Sequence, residues 1–294
     1  MRLATFSLRA SPGRQRVGVL RGNLLLEVDA PSMKTLLARG SDALRALAEE
    51  VEGMPGPGHA LTEVDFLPPV PDASKFLCVG KNYRSHLEEL KRTDLIKEMP
   101  AEPTGFVKLN DALTGHDADV VRPASVTRLD YEPEMVFVIG KPAHEVAPDD
   151  ALSYVAGITL LNDLTCRDTQ KREVASGSRF WTAKNAPGFG PLGPFIVTMD
   201  EVPDPYDIWV SCSVNGQQRM RVNTSEQIWR LSRIIAHFSR LVPLAPGDMF
   251  STGAPGGVAV GKDNAEDLFL KPGDVVECAF EAPAMVLRNR IIAP

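Results

Sequence analysis

The stretch DYEPEMVFVIGK, residues 130–141, constrains the fold more than any other. Met135 to Ile139 is an unbroken apolar run, entered through acids and left through Gly140-Lys141. Such a run reads as a strand buried on both faces, so a sheet must be covered on either side. Glu132 and Glu134 are two apart at its entry, and strand geometry projects both from one face. Two acids that close repel, and burial aggravates the repulsion, so something cationic should compensate. The plainer reading is an exposed strand edge, which Pro133 would suit.

A third acid bears on the choice. Asp163 ends the apolar strand GITLLND. Three carboxylates without His or Cys partners make an all-oxygen set, which favours Mg²⁺, Mn²⁺ or Ca²⁺ over zinc. Mg²⁺ held by few protein ligands keeps positions for water or substrate, as metal-assisted catalysis requires. A calcium staple in a non-catalytic β-sandwich would want more protein oxygens, and no EF-hand loop occurs.

Composition excludes several classes. Of 294 residues, 44% are apolar and 24% charged, enough for a large core and against wholesale disorder. The net charge of −6, with no dense Lys/Arg run, argues against a nucleic-acid or anionic-membrane partner. MRLATFSLRASPGRQ lacks the apolar core of a signal peptide, and no apolar run reaches the roughly 20 residues of a membrane span. A cytoplasmic protein is expected. Cys78, Cys166, Cys212 and Cys278 form no C-x-x-C pair and read as buried free thiols.

Residues 1–70 read as a small N-terminal domain. A hairpin turns at Gly22-Asn23, and a helix begins at the N-cap Ser32, breaks near Gly40 and ends by Gly53. The Pro/Gly-rich MPGPGHALTEVDFLPPVPDASK reads as a linker. From 74 to 294 strand signals dominate. Two helices are expected there, one over PDDALSYVAG and one over SEQIWRLSRIIAHFSRL with Ser225 as N-cap. The class is α+β and strand-rich, a mixed β-sandwich or roll with helices attached. KNYRSHLEEL adds His86 and Glu89, one helical turn apart and able to touch, which by itself reads first as a solvated helix turn and second as an acid–base pair. His59 and His144 read as surface residues, and His116 and His237 as structural ones.

The ordered set GKNYRSHLEE (80–89), KLNDALTG (108–115), DYEPEMVFVIGK, LNDLTCRDTQKRE (161–173), TAKNAPGFGPLGP (182–194) and STGAPGGVAVG (251–261) resembles the fumarylacetoacetate hydrolase family. The closing KPGDVVECAFEAPAMVLRNRI (271–291) matches as well. The resemblance implies that family's β-sandwich roll, with Glu132, Glu134 and Asp163 holding Mg²⁺ or Mn²⁺ and Ca²⁺ as a substitute in crystals. It implies His86 and Glu89 as a general-base pair and Lys184 at the reacting oxygen. Tyr83, Arg167, Gln170, Thr252 and Gly253 fall on pocket positions, Thr252 on one that receives a substrate carboxylate. The implied activity is C–C bond hydrolysis of an acylpyruvate-like 2,4-dioxo acid in aromatic catabolism, by a homodimer. Same-fold alternatives are an oxaloacetate-type decarboxylase, a 2-oxo-enoate isomerase or hydratase, and a ureidoglycolate lyase. Segment 84–104 is expected to act as a lid. The departures are Pro133 between the two Glu residues, NAPGF at 185–189 and KLND in place of K-P-x-x. The last two bear on substrate choice.

Overall fold

The computed structural model describes residues 1–53, 58–92, 100–177 and 182–294. Strands β1 (Arg2–Leu8), β2 (Ser11–Arg21) and β3 (Leu24–Glu27) form a meander with the turn at Gly22-Asn23. Gly22 sits at φ +57, a conformation open to glycine without strain. Helix α1 (Met33–Leu37) is capped as expected, Thr35 N–H donating to Ser32 Oγ at 3.2 Å. Helix α2 (Ser41–Gly53) follows Gly40 and buries Leu44, Leu47 and Val51. The linker reading needs correcting: β4 (His59–Ala60) pairs with β3, and β5 (Val64–Phe66) pairs with β1. Edge pairing and the burial of Val64 override the turn-rich composition there.

Next come β6 (Phe76–Gly80), α3 (Arg84–Arg92), β7 (Thr104–Val107), β8 (Leu113–Thr114), β9 (Asp119–Val121) and β10 (Leu129–Asp130). They are followed by β11 (Pro133–Ile139), β12 (Val155–Asn162), β13 (Thr165–Cys166), α4 (Arg167–Ala175) and β14 (Gly190–Thr198). β15 (Trp209–Val214), β16 (Gln217–Asn223), α5 (Leu231–Ser239), β17 (Met249–Ser251), β18 (Val275–Phe280) and β19 (Met285–Ile292) close the chain. Both expected helices are shorter than the apolar spacing suggests. Pro148–Tyr154 is a 3₁₀ turn, because β12 already begins at Val155. The second helix starts at Leu231 with Arg230 at the N-cap; Ser225 lies in a separate 3₁₀ turn, its N–H donating to Asn223 Oδ1.

The main sheet runs β4-β3-β2-β1-β14-β12-β11-β17-β6-β7, so the first strands join the rest directly through β1 and β14. A second sheet, β16-β15-β18-β19-β9, covers one face. β11 explains its own composition. Met135, Phe137 and Ile139 pack in the same cluster as Val210, Cys212, Val276, Phe280 and Leu287 of the second sheet. Val136 and Val138 face the opposite way, in a cluster with Met33, Leu36, Leu44 and Leu47 of α1 and α2. The strand is buried on both faces. All four cysteines are buried free thiols. No helix among the described residues is long and apolar enough to cross a membrane.

Candidate functional site

Glu132 precedes β11, Glu134 lies on it, and Asp163 follows the antiparallel β12, so one strand pair carries all three acids to one end of the sheet. Their relative exposures are 3%, 2% and 0%, which rules out the exposed-edge reading. Asp163 N–H donates to Glu132 O at 2.8 Å, and Asn162 Oδ1 accepts from Glu132 N–H at 2.9 Å, pinning the two entry points together.

The compensating cations are present. Lys184 Nζ touches Glu132 Oε2, lies 2.5 Å from Asp163 Oδ2 and donates to Thr165 Oγ1 at 2.7 Å. Lys108, 1% exposed, puts its Nζ 2.5 Å from Asp163 Oδ1 and also donates to the carbonyl of Lys184. Arg167 bridges Glu132 Oε1 (2.6 Å) and Asp130 Oδ2 (2.8 Å). Burial alone would raise the Glu132 carboxyl; Lys184 and Arg167 outweigh it and bring the carboxyl down to about 2. Glu134 goes the other way. Burial and the charge of Asp163 push its carboxyl well above the ordinary range, although Ser251 Oγ donates to it. Burial works to lower Lys184, yet Asp163 and Glu132 hold its ammonium above the ordinary lysine range.

These features fit a divalent cation. One oxygen from each acid can be chosen so that all three lie within 4.8 Å of one another, about twice the 2.0–2.6 Å metal–oxygen distance of Mg²⁺ and Ca²⁺. Asp163 Oδ1 is buried yet makes no aligned hydrogen bond, and Glu134 is short of positive charge. With all three acids ionised and Arg167 and Asp130 taken as a pair, the acids face two lysines, so a bound divalent ion leaves the set at +1. That sign suits an anionic substrate.

The two titration shifts have opposite consequences in the metal-free protein. Glu132, lowered from 4.5 to about 2, adds stability above its unfolded value that is lost as pH falls toward 2. Glu134, raised, adds stability below the ordinary carboxylate range that is lost as pH climbs through its folded value. Mn²⁺ binding at a pH below the raised folded value of Glu134 is therefore expected to release a proton from it. Calorimetry in two buffers of different ionisation heat measures it; a binding heat independent of buffer contradicts it.

The dyad residues lie on α3, beyond the end of β6. His86 Nδ1 is 3.1 Å from Glu89 Oε2, and both side chains are buried. A cavity of about 40 Å³ is lined by His86, Glu132, Glu134, Lys184 and Gln170, with Val79, Phe106 and Ala254 as apolar walls. The structure thus brings His86, two of the three acids, Lys184 and Gln170 to one space. Arg167 stands behind it, Nη1 donating to Gln170 Oε1 at 2.8 Å. Tyr83 is fully buried, its hydroxyl accepting from Gln227 Nε2 at 3.2 Å, and burial pushes it up to about 12. Thr252 Oγ1 donates to Met135 O at 3.0 Å, and Gly253 turns at φ +91; neither lines the cavity. His116, His237 and the exposed His144 lie outside the cavity lining. Part of the expected lid, 93–99, lies outside the described residues.

Reading by residue type missed Lys108 and Asp130. Asp130 had a signal: it extends the period-2 acids of DYEPE by one step on the same face. Lys108 had a signal too: it opens the motif KLNDALTG, where it keeps the lysine of the family's K-P-x-x, although the motif alone names no role for it.

Residues 75–292 match the family described as Fumarylacetoacetate (FAA) hydrolase C-terminal. The chain is 34% identical over 279 residues to oxaloacetate tautomerase FAHD2A, mitochondrial, of Homo sapiens, covering 94% of this chain and 84% of that one. Fumarylacetoacetate hydrolase from psychrophilic Exiguobacterium antarcticum superposes with a TM-score of 0.80 at 30% identity, over 100% of both chains. Maleylpyruvate hydrolase from Sphingobium sp. SYK-6, solved with manganese(II) and pyruvate, gives 0.79 at 25% identity, over 100% of this chain and 99% of that one.

Proposed function

The chain belongs to the fumarylacetoacetate hydrolase family, and from that premise we propose that it is an Mg²⁺- or Mn²⁺-dependent hydrolase of a short acylpyruvate-like 2,4-dioxo acid. The observation that carries the reading is a buried His–Glu pair whose His86 lines the same small cavity as Glu132 and Glu134. Glu132, Glu134 and Asp163 would hold the cation, which would supply Lewis acidity for the enolate-like charge of a 2-oxo acid. His86 takes a proton from the water that attacks the C4 carbonyl, and Glu89 holds the ring and supports its positive charge. Lys184 Nζ stabilises the negative charge that develops as the C3–C4 bond breaks. Gln170, fixed by Arg167, offers its amide to the substrate. The apolar walls limit water around these groups.

A second reading is keto–enol tautomerisation of oxaloacetate. The similarity to the human tautomerase favours it. The same His86 would then move a proton at C3 without a water attack.

One assay separates the two. Protein stripped of metal and reloaded with Mn²⁺ is given acetylpyruvate, fumarylpyruvate and oxaloacetate, with mass detection of products and the enol absorbance followed in parallel. Pyruvate and a carboxylic acid released only with metal are the expected result. Loss of enol absorbance from oxaloacetate, with no cleavage of the other two, moves the function to tautomerase. Metal that only raises the melting temperature, with no turnover, sinks both.

A further inference from the structure

The loop 251–261, STGAPGGVAVG, runs between two groups that the proposed chemistry needs in register. On one side is α3. Gly256 N–H donates to Ser85 Oγ at 3.1 Å, Gly257 N–H donates to Glu89 Oε1 at 2.6 Å, and the Arg92 guanidinium donates to Gly261 O at 3.3 Å. On the other side is Asp130. Its carboxylate accepts from Ala259 N–H at 2.8 Å, from Val260 N–H at 2.9 Å and from Arg167 Nε at 2.8 Å. Arg167 in turn reaches Glu132. A continuous polar path therefore leads from Glu89 across the loop backbone to a carboxylate of the metal set.

Two glycines show that the contact with α3 is tight. A Cβ on Gly261 would lie 2.5 Å from Glu89 Cδ, and one on Gly256 would lie 2.7 Å from Ser85 Cβ. Neither has the positive φ that marks a turn glycine, so close approach is what each supplies. Gly257 does turn, at φ +107, and this aims its N–H at Glu89.

We propose that loop 256–261 is a clamp that sets the His86–Glu89 dyad against the carboxylate centre. Gly261 is the positioning residue on the Glu89 side and Asp130 the one on the Glu132 side. The kinetic consequence rests on the function proposed above; the structural consequence does not.

Gly261→Ala tests the first half. The backbone accepts alanine, and the three atoms nearest the new methyl, Cδ, Cγ and Oε1, all belong to Glu89. A fall of about 30-fold in kcat is expected with KM and Mn²⁺ affinity within about twofold, since a misplacement near 1 Å costs on the order of 10²-fold. Amide hydrogen exchange across residues 84–92 speeds up. Glu89→Asp withdraws the carboxylate by one methylene and makes room for the methyl, so Glu89→Asp/Gly261→Ala loses no more kcat than Glu89→Asp alone. Additive losses, unchanged exchange on α3, or a fold lost in Gly261→Ala and not regained in the double variant each overturn the clamp. Exchange needs no substrate, so it decides the clamp even where no 2-oxo acid is turned over, a result that removes the functional reading instead. Asp130→Asn tests the other half: Mn²⁺ affinity falls at least about tenfold, the usual cost of losing a group that orients a ligand. Wild-type affinity in that variant overturns the role of Asp130.

Discussion

Glu132→Ala is expected to abolish metal-dependent turnover and to destabilise the protein as well. The side chain is one of the three acids proposed to hold the cation and the shared partner of Lys184 and Arg167. With two acids left, the proposed cation would lack one of its three protein ligands. A loss of at least about 10³-fold in kcat/KM follows, the scale on which one strong electrostatic element acts. The two cations left behind are buried, and breaking a buried pair from one side costs about 3–5 kcal/mol. Glu132→Gln separates the two effects, since it keeps the volume and one acceptor. Its melting temperature recovers part of the loss while activity stays absent. Wild-type Mn²⁺ affinity in Glu132→Ala, read by calorimetry, would show that the cation does not sit among these acids.

Lys184→Met carries the second large effect, and its sign depends on metal. Without metal, three buried acids lose one of their two lysines. The metal-free variant is expected to lose about 3–5 kcal/mol, the cost of stranding buried charge. Mn²⁺ supplies the missing positive charge, so saturating metal recovers most of that loss and the gain in melting temperature on loading exceeds that of the wild type. Mn²⁺ affinity holds or tightens, because the ammonium touching Glu132 and Asp163 competes with the cation for the same oxygens. The kcat falls about 10²–10³-fold through loss of charge stabilisation. A variant that binds Mn²⁺ and turns over at the wild-type rate would leave Lys184 with a packing role only.

The two variants pull apart a contribution that a static view merges. On this reading Glu132 serves the cation together with Lys184 and Arg167, whereas Lys184 would oppose the cation in the ground state and assist the reaction later. A divergence between their metal affinities, one weaker and one equal or tighter, is therefore more informative than their shared loss of activity.

Much of the site is written in short stretches of chain. Period-2 spacing places Glu132 and Glu134 on one face, the three-residue step joins His86 to Glu89, and the end of GITLLND supplies Asp163. Both contacts and burial in the structure follow those spacings. The apolar run of β11 likewise announces layers on either side, which the second sheet and the α1–α2 pair provide. Elements whose limits depend on neighbours are read less well. Segment 64–66 looks like linker and is a strand because β1 offers it an edge; 148–154 looks like a helix and gives way because β12 starts early to pair with β11.

What the chain determines by itself is the type and spacing of groups within one strand or one helical turn, because backbone geometry repeats over two residues or nearly four. That is enough to place the acids on one face, to put His86 within reach of Glu89 and to announce the layered α+β architecture; the dyad as such is read from the ordered motif set. Only the tertiary structure decides which cations meet those acids, that Lys108 and Lys184 converge on Asp163, and that Asp130 joins Arg167 to loop 256–261. The partners lie tens of residues apart and carry no mark of each other. Their choice follows from charge balance in a buried volume, a condition on the whole set that no local pattern can express.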